Sequence, residues 1–331
     1  MRAFILSKYS TALREADMPE PVVGDRDVLA RIQAAGLNQL DEKIRAGEFK
    51  QILPYRLPVI LGHDLAGTVI RVGAGVRKFR AGDDVYARPG ADRIGTFAER
   101  ISVAETDLAL KPASISMEEA GSLPMVALTS WQALVEIGRV QPGQKVLIHA
   151  GAGGVGSVAI QLAKHLGAEV ATTASAANAE FVRELGADHV IDYRSDDFEL
   201  RLSGYDLVLD SLGGVNLEKS LRVLKPNGKA IGISGPPTPD FARGAGLNPV
   251  LRVAIRALSR KIRKQAKQLG VEYQFLFMRP SGAQLREITA LIDSGAIRPV
   301  VGRVLPFDDT VRGLQSLAAG GTRGKTVISN P

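Results

Sequence analysis

Lys145-Val-Leu-Ile-His-Ala-Gly-Ala-Gly-Gly-Val-Gly156 carries the strongest chemical signal in the sequence. Gly151, Gly153 and Gly156 follow a Gly-x-Gly-x-x-Gly spacing in which each glycine has a physical task. The first permits a tight turn, the second lets the backbone approach a pyrophosphate, and the third lets a helix pack on its strand. Three glycines alone would serve an ordinary turn as well. Here Val146, Leu147 and Ile148 lead in as a strand, and a helix leads out with Val155, Ala159, Leu162 and Leu166 on one face. Gly167 closes that helix. The free N–H groups at its start, on Gly154 and Val155, and its positive dipole end then face the phosphates of a dinucleotide.

The next strand selects the dinucleotide. Domains that bind NAD carry an acid about 20 residues beyond the first glycine, on the ribose 2′-hydroxyl. The corresponding window, Ala171-Thr-Thr-Ala-Ser-Ala-Ala-Asn178, has none, and the next acid, Glu180, already lies in a helix. A carboxylate would repel a 2′-phosphate, so its absence favours NADP(H). Ser175 and Asn178, with Tyr193 and Arg194 beyond the following strand, are the candidates to hold that phosphate. Ser175 or Asn178 could equally cap the helix that follows.

Other chemistries are excluded by composition. With no cysteine, the chain has no disulfide, no thiolate nucleophile and no thiolate-bound metal. Its four histidines, His63, His149, His165 and His189, never share metal-ligand spacing on one helix. No signal-peptide core opens the sequence and no run of about 18 apolar residues would span a bilayer. The expectation is a cytoplasmic protein.

The elements that must position the glycine loop follow from the pattern on either side. Val28 to Ala34, Asp64 to Val72 and Asp84 to Ala87 are short β-branched runs between glycine and proline turns. After Pro142-Gly143 strands alternate with helices, the pattern of a parallel sheet with crossover connections. Strands are expected at Lys145 to His149, Ala168 to Ala174, His189 to Ile191, Asp206 to Asp210 and Lys229 to Ile233, and a last one at Val271 to Phe277. Ser281 to Ser294 reads as a helix.

With these motifs placed, the chain resembles the zinc-independent, quinone oxidoreductase branch of the medium-chain dehydrogenase/reductase superfamily. Asn38-Gln-Leu-Asp41 with Lys43, Leu61-Gly-His-Asp-Leu-Ala-Gly67, Gly82-Asp-Asp-Val85, Gly95-Thr-Phe-Ala-Glu99 and Gly186-Ala-Asp-His-Val-Ile-Asp-Tyr193 match that branch in order. The resemblance implies an α/β Rossmann domain, a doubly wound parallel sheet, at 124–279. A GroES-like, mainly-β catalytic domain would be built from 1–123 and 280–331. It further implies a nicotinamide cleft between domains and a homodimer formed through the edge strand Val271 to Phe277. Zinc-dependent cousins polarise their substrate with a metal held by cysteine and histidine; His63 and Asp64 survive here, Asn38 stands where a cysteine would be, and no metal site is expected. Without a Lewis acid, a ketone's developing alkoxide lacks stabilisation. A quinone, enone or enal instead spreads the charge into a hydroquinone anion or enolate, and positioning carries the catalysis. Asn38, Lys43 and Thr129 are the expected catalytic residues, although Asn38 also suits a turn and Lys43 a solvated helix face. Enoyl-thioester reductases place a tyrosine where this chain has Phe49; Tyr55 lies six residues on.

One segment is left over. From Pro249 to Gln268 there are seven bases and no acid, so the rest of the chain sums to zero against a total of +7. Pro249 suits the start of a single helix and Gly270 its end, with Leu251, Ile255, Leu258, Ile262 and Leu269 on one stripe. A basic amphipathic helix belongs at an anionic membrane, an acidic partner or, with its arginines solvated, on a cleft or dimer seam. No specific nucleic-acid site is expected. An NADPH-bound protein that docks to a membrane or RNA through this basic helix, with little turnover, is therefore the alternative to an enzyme.

Overall fold

The β-branched runs of the first part fold into strands β1 (Arg2–Leu6), β2 (Arg14–Asp17), β3 (Asp27–Gly36), β4 (Val59–Ile60), β5 (Leu65–Val72), β6 (Asp84–Ala87), β7 (Arg100–Ala104) and β8 (Leu108–Leu110). The structure is a computed structural model describing residues 1–317 and 320–330. The middle of the chain adds β9 (Lys145–Ile148), β10 (Glu169–Ala174), β11 (His189–Asp192), β12 (Tyr205–Asp210), β13 (Leu224–Gly232) and β14 (Glu272–Phe275). Then β15 (Val301–Pro306) and β16 (Lys325–Ser329) follow. Two compact units result, Met1–Leu128 with Arg279–Pro331, and Thr129–Met278.

The first unit is mainly β. One sheet runs β15-β16-β3-β5-β6-β8 with β7 also on β3, and a smaller one runs β2-β1-β4. β3 alternates strongly enough to bury Val28, Ala30 and Ile32 against Leu65, Val85, Phe97 and Ile328. The late strand β16 lies antiparallel beside β3, pairing Val327 with Gly36 and Ile328 with Ala35. Residues from both ends of the sequence therefore share one core.

In the second unit the order is β11-β10-β9-β12-β13-β14, every neighbouring pair parallel. Val146, Leu147 and Ile148 of β9 are wholly buried, as expected of a parallel strand covered on both faces. Strand order reverses between β9 and β12, which puts a ligand crevice at the carboxyl end of β9. The glycine loop starts there. The expected edge strand is β14, which ends the sheet order.

The basic segment differs from its expectation. It forms two helices, Pro249–Leu258 and Arg260–Leu269, that meet at Ser259. Ser259 donates its hydroxyl to the carbonyl of Ile255 at 2.9 Å, the back-bonding that bends helices. The inward residues are Ile255, Ser259, Ile262 and Ala266, whereas Leu258 and Leu269 of the expected stripe are exposed. Gly270 does close the second helix, in the left-handed conformation at φ 67°.

Candidate active site

In the second unit the loop is clamped to the neighbouring strand. The Ala150 N–H donates to Thr173 Oγ1 at 3.1 Å and the Gly151 N–H to the Thr173 carbonyl at 3.0 Å. Ala150 itself is left-handed at φ 54°, a strained conformation for a residue with a Cβ. A buried polar layer supports the clamp. His149 contacts Thr173 Oγ1 at 3.1 Å and Ser220 Oγ at 2.9 Å, and burial pushes its pKa below the usual histidine range, so the ring stays neutral.

The three glycines are not equivalent. A Cβ on Gly151 would lie 2.2 Å from Thr172 Oγ1, and one on Gly156 would lie 2.3 Å from the Ala150 carbonyl oxygen. The protein's own packing requires glycine at both. At Gly153 the only neighbour within reach is the Ala150 carbonyl oxygen, at 3.2 Å. Among the described residues nothing else crowds this position, so the face of Gly153 is open. Gly153 is the N-cap of the helix Gly154–His165, and the N–H groups of Gly154 and Val155 in its first turn have no intrahelical acceptor. The residues present fit a dinucleotide pyrophosphate.

Four further expected contacts gather at the carboxyl ends of β10 and β11. Ser175 follows β10 directly and accepts from Asn178 Nδ2 at 3.2 Å. Neither side chain closes a helix cap. Tyr193 donates its N–H to the Ala174 carbonyl at 3.3 Å, which holds the end of β11 against Ser175. Arg194 lies over the Tyr193 ring, 5.8 Å from its centroid, and both side chains are exposed. The Arg194 guanidinium makes no ion pair among the described residues.

In the first unit, the expected Asn38 and Lys43 lie on or beside the helix Gln39–Ala46. Asn38 is committed: Nδ2 donates to the Gly36 carbonyl at 3.2 Å and to Asp64 Oδ2 at 2.9 Å, and Oδ1 accepts from Lys325 Nζ. Lys325 completes its three donations on the Leu37 carbonyl at 2.7 Å and Asp64 Oδ2 at 3.2 Å. Asp64 Oδ1 accepts the Met125 N–H at 2.7 Å. Burial raises the Asp64 pKa, and Lys325, Asn38 and Met125 oppose that rise. Only glycine at 36 admits this carboxylate, because a Cβ there would sit 2.9 Å from Asp64 Oδ2. Lys43 is half-buried, with no ammonium bond among the described residues. Thr129, buried, opens the second unit and so belongs to a different unit from Asn38 and Lys43.

His63 is fully buried and hydrogen-bonded, its Nδ1 2.6 Å from Asp41 Oδ1, while Asp41 Oδ2 accepts the Asn38 N–H at 3.0 Å. Among the described residues its Nε2 has no partner, and neither has the buried Tyr55 hydroxyl. Burial raises the Tyr55 pKa, so this phenol stays protonated. A zinc ion does not fit this donor set. Asp64 is engaged by an ammonium and Asn38 by its own bonds, which leaves one imidazole nitrogen. No group of three His, Cys, Asp or Glu able to hold a metal exists among the described residues. Lys325 was not legible as a functional residue; Gly324-Lys-Thr carries no motif, and only the pairing of β16 with β3 brings it to Asp64.

These geometries agree with what the chain is similar to. Residues 24–113 match the alcohol dehydrogenase GroES-like domain family, and residues 185–328 match the zinc-binding dehydrogenase family. The mitochondrial NAD(P)H oxidoreductase RTN4IP1 of Danio rerio is 33% identical over 99% of this chain and 91% of its own length. The chloroplastic NADPH-dependent alkenal/one oxidoreductase of Arabidopsis thaliana is 33% identical, covering 99% of this chain and 79% of its own. The quinone oxidoreductase of Coxiella burnetii superposes with a TM-score of 0.87 at 31% identity, over 99% of both chains. The chain belongs to the quinone oxidoreductase branch of the medium-chain dehydrogenase/reductase superfamily. Within that superfamily the zinc-binding description of one matched family does not extend to this chain's residues, since it has no cysteine and its Asp64 is bound by Lys325.

Removing one partner of a buried ion pair costs about 3–5 kcal/mol. Lys325→Met should lower unfolding stability by that order in urea titrations at neutral pH, and Asp64→Asn added to it should restore part of the loss. Without the ammonium the folded-state pKa of Asp64 rises further above its unfolded value. The variant's deficit should therefore grow as pH rises from the wild type's folded Asp64 pKa to the variant's higher one, and shrink as pH falls back through that window. A deficit independent of pH would show that Asp64 is not the group left uncompensated.

Proposed function

We propose that this protein is an NADPH-dependent reductase of quinones or α,β-unsaturated carbonyls that needs no metal. The observation that carries the reading is the state of Asp64 and Asn38, which hold Lys325 where the zinc-dependent branch would hold a metal. Lacking a Lewis acid, the site suits substrates whose conjugation takes up the negative charge of reduction. When bound, the dinucleotide supplies a hydride. The names of the alkenal/one oxidoreductase and the quinone oxidoreductase support the same substrate classes.

The residues then divide the work. The open face of Gly153 and the N–H groups of Gly154 and Val155 take the pyrophosphate, with Gly151 and Gly156 shaping the loop. Ser175, Asn178, Tyr193 and Arg194 take the 2′-phosphate. Lys43 is assigned to the substrate or ribose and Thr129 to the nicotinamide. Asn38 acts through Lys325 and Asp64 to fix the helix that carries Lys43. We assign a homodimer to the free edge of β14, the last strand of its sheet. A cysteine-free chain suits a reducing compartment, in keeping with a cytoplasmic enzyme.

Gly153→Val should stay folded, its Cβ needing only a few tenths of an ångström from the Ala150 carbonyl, and should lose dinucleotide binding in a fluorescence titration. Retained NADPH affinity would remove the pyrophosphate reading.

NADPH should bind more tightly than NADH. Each hydrogen bond to a charged phosphate is worth about 1.5–3 kcal/mol, so Arg194→Glu should weaken NADPH by roughly 10- to 150-fold or more. NADH affinity should hold; an equal loss for both would deny Arg194 the phosphate.

Purified protein should contain no stoichiometric zinc, and strong chelators should leave quinone reduction intact. One zinc per chain by metal analysis would return His63 to the list of ligands.

A further inference from the structure

The two basic helices place a second, differently built surface on the second unit. Ile255, Ser259, Ile262 and Ala266 are buried at steps of four, three and four, so one inward line runs straight through the bend at Ser259. With 3.6 residues per turn, the outward line opposite it is equally continuous. It reads Val250, Val253, Ala257, Arg260, Lys264 and Lys267, at steps of three, four, three, four and three, and all six are exposed. The line is apolar in its first half and basic in its second. Val250 is 77% exposed, Val253 68%, and Leu258 beside them 64%.

Among the described residues little answers this charge. Lys261 pairs with Glu218, but Arg256, Arg260, Lys264 and Lys267 make no ion pair among the described residues. No acid lies between Pro249 and Gln268. The helix Pro249–Leu258 is nonetheless firmly built, with Asn248 Oδ1 accepting the Leu251 N–H at 2.9 Å and Pro249 in the first turn. A folded helix that leaves two valines and a leucine in water and concentrates the chain's net charge beside them has a specific complement.

We propose that the paired helices Pro249–Leu258 and Arg260–Leu269 dock on an anionic lipid bilayer. The Val250, Val253 and Leu258 side chains enter the boundary between headgroups and acyl chains, and Arg260, Lys264 and Lys267 lie on the anionic headgroups. A second copy of this chain is a poor occupant, because a twofold contact would set the same uncompensated bases against themselves. A nucleic acid would satisfy the bases and leave the valines in water. An anionic bilayer answers both halves of the line at once. No helix among the described residues is long and apolar enough to cross a membrane, and docking of this kind needs none.

The test is flotation of the full chain with vesicles of phosphatidylcholine alone and of phosphatidylcholine mixed with phosphatidylglycerol. The protein should float with the anionic vesicles at low salt and be released as salt rises. Each base near the surface contributes about fivefold in affinity, so Arg260→Glu, Lys264→Glu and Lys267→Glu together should weaken binding about 100-fold or more. Val250→Ser with Val253→Ser should weaken it roughly 10-fold or more with the net charge untouched. Both variants change exposed residues, and their turnover on a small soluble quinone and their sedimentation should match the wild type. Wild type that ignores anionic vesicles at low salt overturns the proposal. So does unchanged binding of the valine variant, which would mark a purely electrostatic surface open to any polyanion. A change of oligomeric state in either variant would assign this face to a second copy instead.

Discussion

The first unit is organised around one buried ammonium. Lys325 gives its three protons to the Leu37 carbonyl, Asn38 and Asp64, and Asp64 passes the constraint on to Met125. β3, the turn into β5, the helix after Asn38 and the segment before the second unit are thereby held at fixed distances. A buried ion pair is close to neutral against a well-packed apolar alternative. Its value here lies in specificity: only one register of β16 on β3 brings Lys325 to Asp64, and a slip would leave two charges buried and unpaired.

The same interaction explains why a dehydrogenase scaffold can discard its metal. The carboxylate beside His63 cannot serve a zinc ion while an ammonium holds it, and the histidine has turned its Nδ1 to Asp41. What stays is a rigid polar floor. Charge stabilisation must then come from the substrate's own conjugation and from fixed dipoles, which narrows the chemistry before any pocket shape is considered.

How much of this was legible varied with how local the cause was. The glycine loop could be read because strand, turn and helix are neighbours in sequence, and the parallel sheet because its period changes audibly from strand to helix. The spacing also divided the tasks of Gly151, Gly153 and Gly156, but did not show the atoms that enforce glycine at the first and third, Thr172 Oγ1 and the Ala150 carbonyl oxygen. Lys325 was invisible for a related reason, since its partners lie 287 and 261 residues away. The basic segment was read as one helix because serine is tolerated inside helices. Ser259 instead bonds back to Ile255, bends the axis and turns Leu258 outward. Small polar residues decide such bends through bonds that periodicity does not register.

The strand β16 sits between β15 and β3, yet 288 residues separate Leu37 from Lys325. On a ribosome adding about 5–20 residues per second, β3 would wait roughly 15 to 60 seconds for its neighbour. The Thr129–Met278 unit is continuous in sequence and can acquire its native sheet during that interval. The amino-terminal strands meanwhile have an open edge and an Asp64 that must remain hydrated. The half of the protein synthesised first therefore cannot complete its sheet until the last strand is made, and it is the half that a holding chaperone would have to cover in an interrupted translation product.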